Sequence, residues 1–355
     1  MRWPWSRQSL VGQMVLSWSD RTLTYVLASA YANGSCKVIK YGVERMGVDG
    51  MDELFRQLDG LVPRGLDVRI MLQPGQYQMV QIPAPAVAPE ELRAAARYQV
   101  REMLHAHMED VTLDVMRVGD GQQKGAGHLF VVAATNAVIR GILNLGEAMH
   151  WSVSVIDIQE TAQRNLQNAF ASREGHVDRA SAALVLLDQN QALLTISARG
   201  ELFYTRRFDF LEGFLAYLLA QDKASLAAGT KNFSAYGANA VLGNDVYTVD
   251  DLLPERIAKD MEEQEDSAQR FLVEVQRSLD LWDRVWATMP LHDIRVHAGE
   301  QSDALATWLS SQLGQTVLTM DINSLFPGFQ GGNRGDQALC LPLLGLLLRD
   351  ETRTL

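Results

Sequence analysis

Short runs of apolar and β-branched residues, broken by polar turns, occur twice along this chain in the same order. The first set is Met14–Leu16, Thr22–Ala28 and Cys36–Val43, with turns at Ser17-Trp18-Ser19-Asp20 and Asn33-Gly34-Ser35. The second is Leu184–Leu187, Leu193–Ser197 and Glu201–Phe208, with turns at Asp188-Gln189-Asn190-Gln191 and Arg199-Gly200. Strand-forming residues between turn formers predict a three-stranded meander in each case. Each meander heads one half of the sequence, so the pattern reads as a duplication.

Between and after the meanders the period changes to that of helices. Met51, Leu54, Phe55, Leu58 and Leu61 predict a crossover helix, and Val68–Leu72 a short buried strand. Gln73-Pro74-Gly75 is a turn into the alternating strand Tyr77–Ile82. A proline-stiffened approach, Pro83 to Pro89, then opens a helix expected to run to about His107, followed by a strand over Thr112–Val118 and a Gly/Gln-rich loop, Gly119–Gly127. The chain returns through a strand at His128–Ala134, a helix at Asn136–Met149, a strand at Ser152–Asp157 and a helix at Glu160–Ala171.

The polar stretch Ser172–Ala180, with Gly175, marks the junction between halves. The expected organisation is therefore residues 1–178, carrying an inserted β-α-β subdomain at about 72–127, and residues 179–355. The second half carries an acidic, helical insertion at about 221–268. Beyond that insertion, Phe271, Leu272, Val275, Leu279, Trp282 and Val285 share one helical face. A strand at Asp293–Ala298, a helix at Ser302–Leu313, a strand at Thr316–Met320 and a final helix over Ala338–Arg349 complete a mixed α/β pattern.

Composition narrows the class. Of 355 residues, 47% are hydrophobic and 21% charged, as in folded globular proteins. The net charge of −11 argues against nucleic acid, whose binding depends on Lys and Arg displacing counterions. Cys36 and Cys340 make no disulfide framework and no zinc spacing, which fits a reducing cytosol. The longest apolar run, Ala338–Leu348, contains Pro342 and is short of the ~20 residues that a membrane span needs. No signal-peptide core is evident at the start. Trp3 and Trp5 beside Arg2 and Arg7 are suited to touching lipid headgroups or a membrane-bound partner, against the plainer reading of a tail.

Other candidates read as structural. His105 and His107, two apart on the expected helix, point away from each other and lack a third ligand nearby, so no metal is expected. Trp282 and Trp286, four apart on one helix, read as core or subunit packing, the latter admitting a homo-oligomer. Glu262-Glu263-Gln264-Glu265-Asp266 reads as a solvated face. No nucleophile elbow, Walker motif or dinucleotide fingerprint is present, so no catalytic residue is assigned.

Duplicated meanders followed by helices and further strands resemble the actin-like ATPase superfamily. Three strings narrow the resemblance. Leu72-Gln73-Pro74-Gly75, Val80-Gln81-Ile82-Pro83, Pro89-Glu90-Glu91-Leu92 and Ala96-Arg97-Tyr98-Gln99 together resemble the insertion of PilM-type type IV pilus proteins. Leu129–Ala134 followed by Val153–Glu160 is similar to that family's return to its core. Glu274–Asp280 is similar to the helix before its last βαβ unit. The chain thus resembles the PilM/GspL-type actin-like family, and within it the MSHA-pilus members. The implied fold is actin-like, that is, a duplicated ribonuclease H-like α/β fold.

PilM proteins bind ATP and the short cytoplasmic tail of the membrane protein PilN. The resemblance therefore implies a cytoplasmic adaptor, peripheral on the inner membrane, that binds a PilN-like tail and, as a second partner, the pilus assembly ATPase. Phosphate-gripping turns need glycine for close backbone approach and an aspartate for the Mg²⁺ shell. Here Ser17 and Ser19 stand at the first turn; Asp188 and Asn190 lie in the second, and Gly299 alone survives beside Glu300 at the adenosine turn. ATP binding is expected to be weak or absent, and hydrolysis lost. The rival expectation is a working actin-like ATPase with those residues around an unusual pocket, and a third is a GspL-like component of a type II secretion platform. Tyr77, Met79, Arg97 and Tyr98 are the expected docking residues for the tail.

Overall fold

The structure, a computed structural model, describes residues 12–19, 22–29, 35–45, 66–119, 127–187, 190–218, 220, 253–329 and 334–349. Trp3, Trp5, the helix expected at Met51–Leu61, Asp188 and residues 221–252 lie outside these. Two compact units are present: residues 1–182, 195–205 and 321–355 form unit 1, and residues 183–194 and 206–320 form unit 2.

Two five-stranded sheets share one strand order. The first runs β3-β2-β1-β4-β8, from β1 (Gly12–Trp18), β2 (Thr22–Ser29), β3 (Val38–Arg45), β4 (Asp67–Met71) and β8 (Ser152–Asp157). The meander β1–β3 is antiparallel, whereas β4 joins β1, and β8 joins β4, in parallel. The second runs β11-β10-β9-β12-β13, from β9 (Ala180–Leu187), β10 (Gln191–Ala198), β11 (Glu201–Asp209), β12 (Leu291–His297) and β13 (Val317–Thr319). Each sheet is a meander extended from its first strand by two later ones. That repeated order is the duplication expected from the hydrophobic pattern.

The insertion forms a three-stranded antiparallel sheet of order β5-β7-β6: β5 (Tyr77–Pro83), β6 (Val111–Arg117) and β7 (His128–Thr135). Strand alternation separates its two faces. Ile82, Leu113, Leu129 and Val131 pack beneath α1 (Leu92–Gln99) with Leu92, Ala96 and Val100. Tyr77, Met79, Met116, Val132 and Ala134 join the core under the first sheet, with Val138 and Ile139 of α2 (Asn136–Ala148). Helix α1 ends at Gln99 rather than near His107. Gln78 donates Nε2 to the Met103 carbonyl (2.8 Å) and accepts the His105 N–H at Oε1 (3.1 Å), which takes that N–H from helical bonding, and the Arg97 guanidinium donates to the carbonyls of Met108 and Val111. His105 and His107 are exposed in turns.

Helix α3 (Gln159–Glu174) is buried along most of its length although its sequence is polar. Gln163, Thr195, Gln167 and the Ser181 carbonyl form a chain of hydrogen bonds there, of 2.7–3.0 Å. In unit 2 the long α4 (Leu253–Val285) buries Phe271, Leu272, Val275, Leu279 and Trp282. Phe271 stacks on Phe214 at 4.0 Å, and Trp308 of α5 (Ser302–Leu313) lies 5.4 Å from Phe214. Val285 departs from the expected face and is 60% exposed at the last helical position. After the short α6 (Ile322–Leu325), α7 (Arg334–Leu347) continues through Pro342. Among the described residues, no helix is long and apolar enough to cross a membrane.

Candidate functional site

Unit 1 holds a groove of about 770 Å³, within the ~300–1,000 Å³ usual for ligand clefts. One wall is β6, an edge strand of the inserted sheet, which contributes Thr112, Asp114, Met116 and Arg117. Val118 donates its N–H to His128 across the ladder (3.0 Å), so by alternation Leu113, Val115 and Arg117 turn their main-chain groups away from β7. Asp114 Oδ1 takes the Val115 N–H (2.9 Å), and Arg97 takes the Val111 carbonyl (3.2 Å). The opposite wall is α2, with Ile139 and Leu143; Leu143 is an apolar side chain 42% exposed. Val132 and Ile156 add further apolar surface.

Charge is concentrated where α3 begins. Asp157, at the end of β8, accepts from the Ile158 N–H (2.9 Å) and from the Thr161 hydroxyl, and its Oδ2 meets Arg349 Nη1 at 2.6 Å. An acid at a helix N-terminus also gains from the helix dipole. Arg349 is held in turn by Arg69, which bonds Asp67 (3.1 Å) and donates Nη1 to the carbonyls of Leu346 (3.0 Å) and Arg349 (2.8 Å), satisfying orphan acceptors at the end of α7. One turn into α3, Arg164 lines the same groove. The arrangement can hold an extended segment: a strand edge for its main chain, apolar walls for side chains and a charged floor.

The sequence-predicted residues fall elsewhere. Tyr77 donates its hydroxyl to buried Glu160 Oε2 (2.6 Å), and both Tyr77 and Met79 pack into the core. Arg97 and Tyr98 line a separate basin of about 780 Å³ with Arg101, His105 and His107, where Tyr98 is 81% exposed. None of the four lines the groove. The sequence does not mark the charged floor, because α3 is polar along its length; the available signal is a polar stretch lodged between two core strands, β8 and β9.

At the first turn, Ser17 is fully buried at the β1 end. Its Oγ donates to the Met71 carbonyl (2.7 Å) and accepts from Gln73 Nε2 (2.7 Å), while its own carbonyl accepts from the Thr24 hydroxyl (3.1 Å). Ser19 donates its N–H to the Thr22 carbonyl (2.9 Å), and the two hydroxyls lie 3.0 Å apart. In unit 2, Asn190 adopts φ 57° and accepts from the Phe210 N–H. Gly299, with φ 57°, opens a helical turn whose carbonyl accepts from the Ser302 hydroxyl (2.7 Å). Asp188 is outside the described residues.

No family model and no curated protein matches the sequence. Among solved structures, a PilM-PilN type IV pilus biogenesis complex is similar at TM-score 0.61 and 16% identity, over 96% of this chain and 99% of that one. The cytoplasmic domain of EpsL, an inner-membrane component of the type II secretion system of Vibrio cholerae, is similar at TM-score 0.40 and 15% identity, over 59% of this chain and 74% of that one. A Bacteroides thetaiotaomicron protein of actin-like ATPase fold and unknown function is similar at TM-score 0.47 and 9% identity, over 97% and 98%. The chain has an actin-like fold. Its likeness to the PilM–PilN structure extends over almost the whole length, as the three sequence strings led one to expect.

Proposed function

We propose that the protein is a non-hydrolytic docking component of a type IV pilus or related secretion assembly, peripheral on the cytoplasmic side of the inner membrane. In this reading it binds the extended cytoplasmic tail of a PilN-like membrane protein in the unit 1 groove. The carrying observation is that groove itself, walled by a strand edge and apolar side chains, in a chain whose fold is that of PilM. The MSHA-pilus branch is favoured by the altered turns. Support for lost hydrolysis comes from Ser17, whose hydroxyl is spent inside the fold on Met71 and Gln73.

Co-purification from the native membrane tests the docking role. Leu143→Arg places a cation on an exposed groove wall without touching the core, so the variant should stay folded and lose the membrane partner. Equal recovery of the partner by both proteins would refute the reading. Nucleotide is tested by thermal melting, since a ligand at ~100 times its Kd adds ~2.7 kcal/mol of stability. Millimolar Mg·ATP should leave the melting temperature unchanged, and a large magnesium-dependent rise would instead favour the ATPase.

A further inference from the structure

Arg164 is 8% exposed and lines the groove, yet its only hydrogen bonds among the described residues run from Nε (3.2 Å) and Nη2 (2.9 Å) to Asn165 Oδ1, a neutral amide. No carboxylate pairs with it among those residues. Of the acids that line the same groove, Asp157 is engaged by Arg349, the Ile158 N–H and the Thr161 hydroxyl, and Asp114 by Arg93. A guanidinium taken out of water without a counter-charge is costly, and the cost falls when an anion arrives.

We propose that Arg164 is the specificity residue of the groove and that the bound segment is an extended peptide carrying one Asp or Glu between apolar residues. This rests on the docking role proposed above and adds what the partner must present. The planar fork of Arg164 pairs with a carboxylate bidentately, a geometry that Lys cannot reproduce. The edge of β6 aligns the peptide main chain, and apolar side chains flanking the acid meet Leu143 and the wall of α2. Asn165 keeps the guanidinium aimed, since its own Nδ2 is tied to the Gly345 carbonyl at 3.1 Å.

A displayed library of random ten-residue peptides, selected in parallel on the full wild-type chain and on Arg164→Gln, tests this. Peptides selected by the wild type should carry Asp or Glu at one fixed position between apolar residues. Binding of a selected peptide should weaken roughly 10- to 100-fold in Arg164→Gln, by as much when the peptide acid becomes Gln, and by no more when both are changed. The peptide substitution is measured on wild-type protein, so it decides the matter even if Arg164→Gln folds poorly. Peptides that are lost in Leu143→Arg but show no acid preference would overturn the role of Arg164 while leaving the docking groove intact. Recovery of no peptide that depends on Leu143 would overturn both.

Discussion

Arg349 Nη1 lies 2.6 Å from Asp157 Oδ2, and this contact ties the segment after α7 to the end of β8, where α3 begins. Both side chains are largely buried, at 17% and 5% exposure. Removing one member of a buried pair leaves the other charge unmatched, at about 3–5 kcal/mol. Asp157→Ala should be costlier than Arg349→Met. It strands the guanidinium and also removes the acceptor of the Ile158 N–H and the Thr161 hydroxyl, whereas the reverse change leaves Asp157 with those two donors. Urea denaturation should show the larger drop in midpoint for Asp157→Ala; equal drops would mean that the ion pair alone sets the cost.

Helices α3 and α7 touch through a glycine. A Cβ placed on Gly345 would come 2.0 Å from the Ala162 carbonyl oxygen, which is backbone and has no rotamer to escape into. Gly345→Ala must push the helices apart or bend one, and overpacking of this kind costs about 1–3 kcal/mol or more. Gly141, on the exposed side of α2, is the matched control, because a methyl group there would meet no atom within 4 Å. At that position the same change should raise stability by up to ~1 kcal/mol through helix propensity. Melting temperatures moving in opposite directions is the expected result; a neutral Gly345→Ala would show that the contact is loose.

The elements that declared themselves in the sequence are those whose own periodicity agrees with their burial. The two meanders alternate or run apolar where the sheets bury them, and the helix opening at Ser302 and the strand before it show their periods locally. What escaped was decided by contacts distant in sequence. The shortening of α1 depends on Gln78, about 25 positions earlier, and the burial of α3 depends on partners such as Thr195 and Gly345. The candidate groove was hidden for the same reason: its walls come from separate segments of the chain.

Both cysteines should be chemically silent in the folded protein. Burial pushes the Cys36 thiol up to about 11, while Cys340 rises to about 12 through burial and the nearby Asp336 carboxylate. The thiolate is the reactive species, so at pH 8 neither should react with Ellman's reagent until urea unfolds the chain. These shifts also fix a sign for stability. A group whose pKa is raised by folding contributes fully below its unfolded value, here 9.0, and the contribution is lost as pH climbs toward 11 and 12. Stability should therefore decline above pH 9, and less steeply in Cys36→Ala, as read from urea midpoints across the alkaline range.

The acid side has a different cause. Burial lowers His297, the last residue of β12, from 6.5 to about 4. Above pH 6.5 the imidazole is neutral in both folded and unfolded chains and adds no pH dependence. Between 6.5 and about 4 the unfolded chain takes a proton that the folded chain refuses, so stability falls as pH drops, by at most ~1.4 kcal/mol per unit. Below about 4 both forms are protonated and the loss levels off. His297→Gln removes this titration, so its stability should fall less than that of the wild type between pH 6.5 and 4.5 in paired urea titrations. Parallel curves for the two proteins would mean that His297 is protonated in the folded state well above pH 4, and that acid sensitivity in unit 2 has another origin.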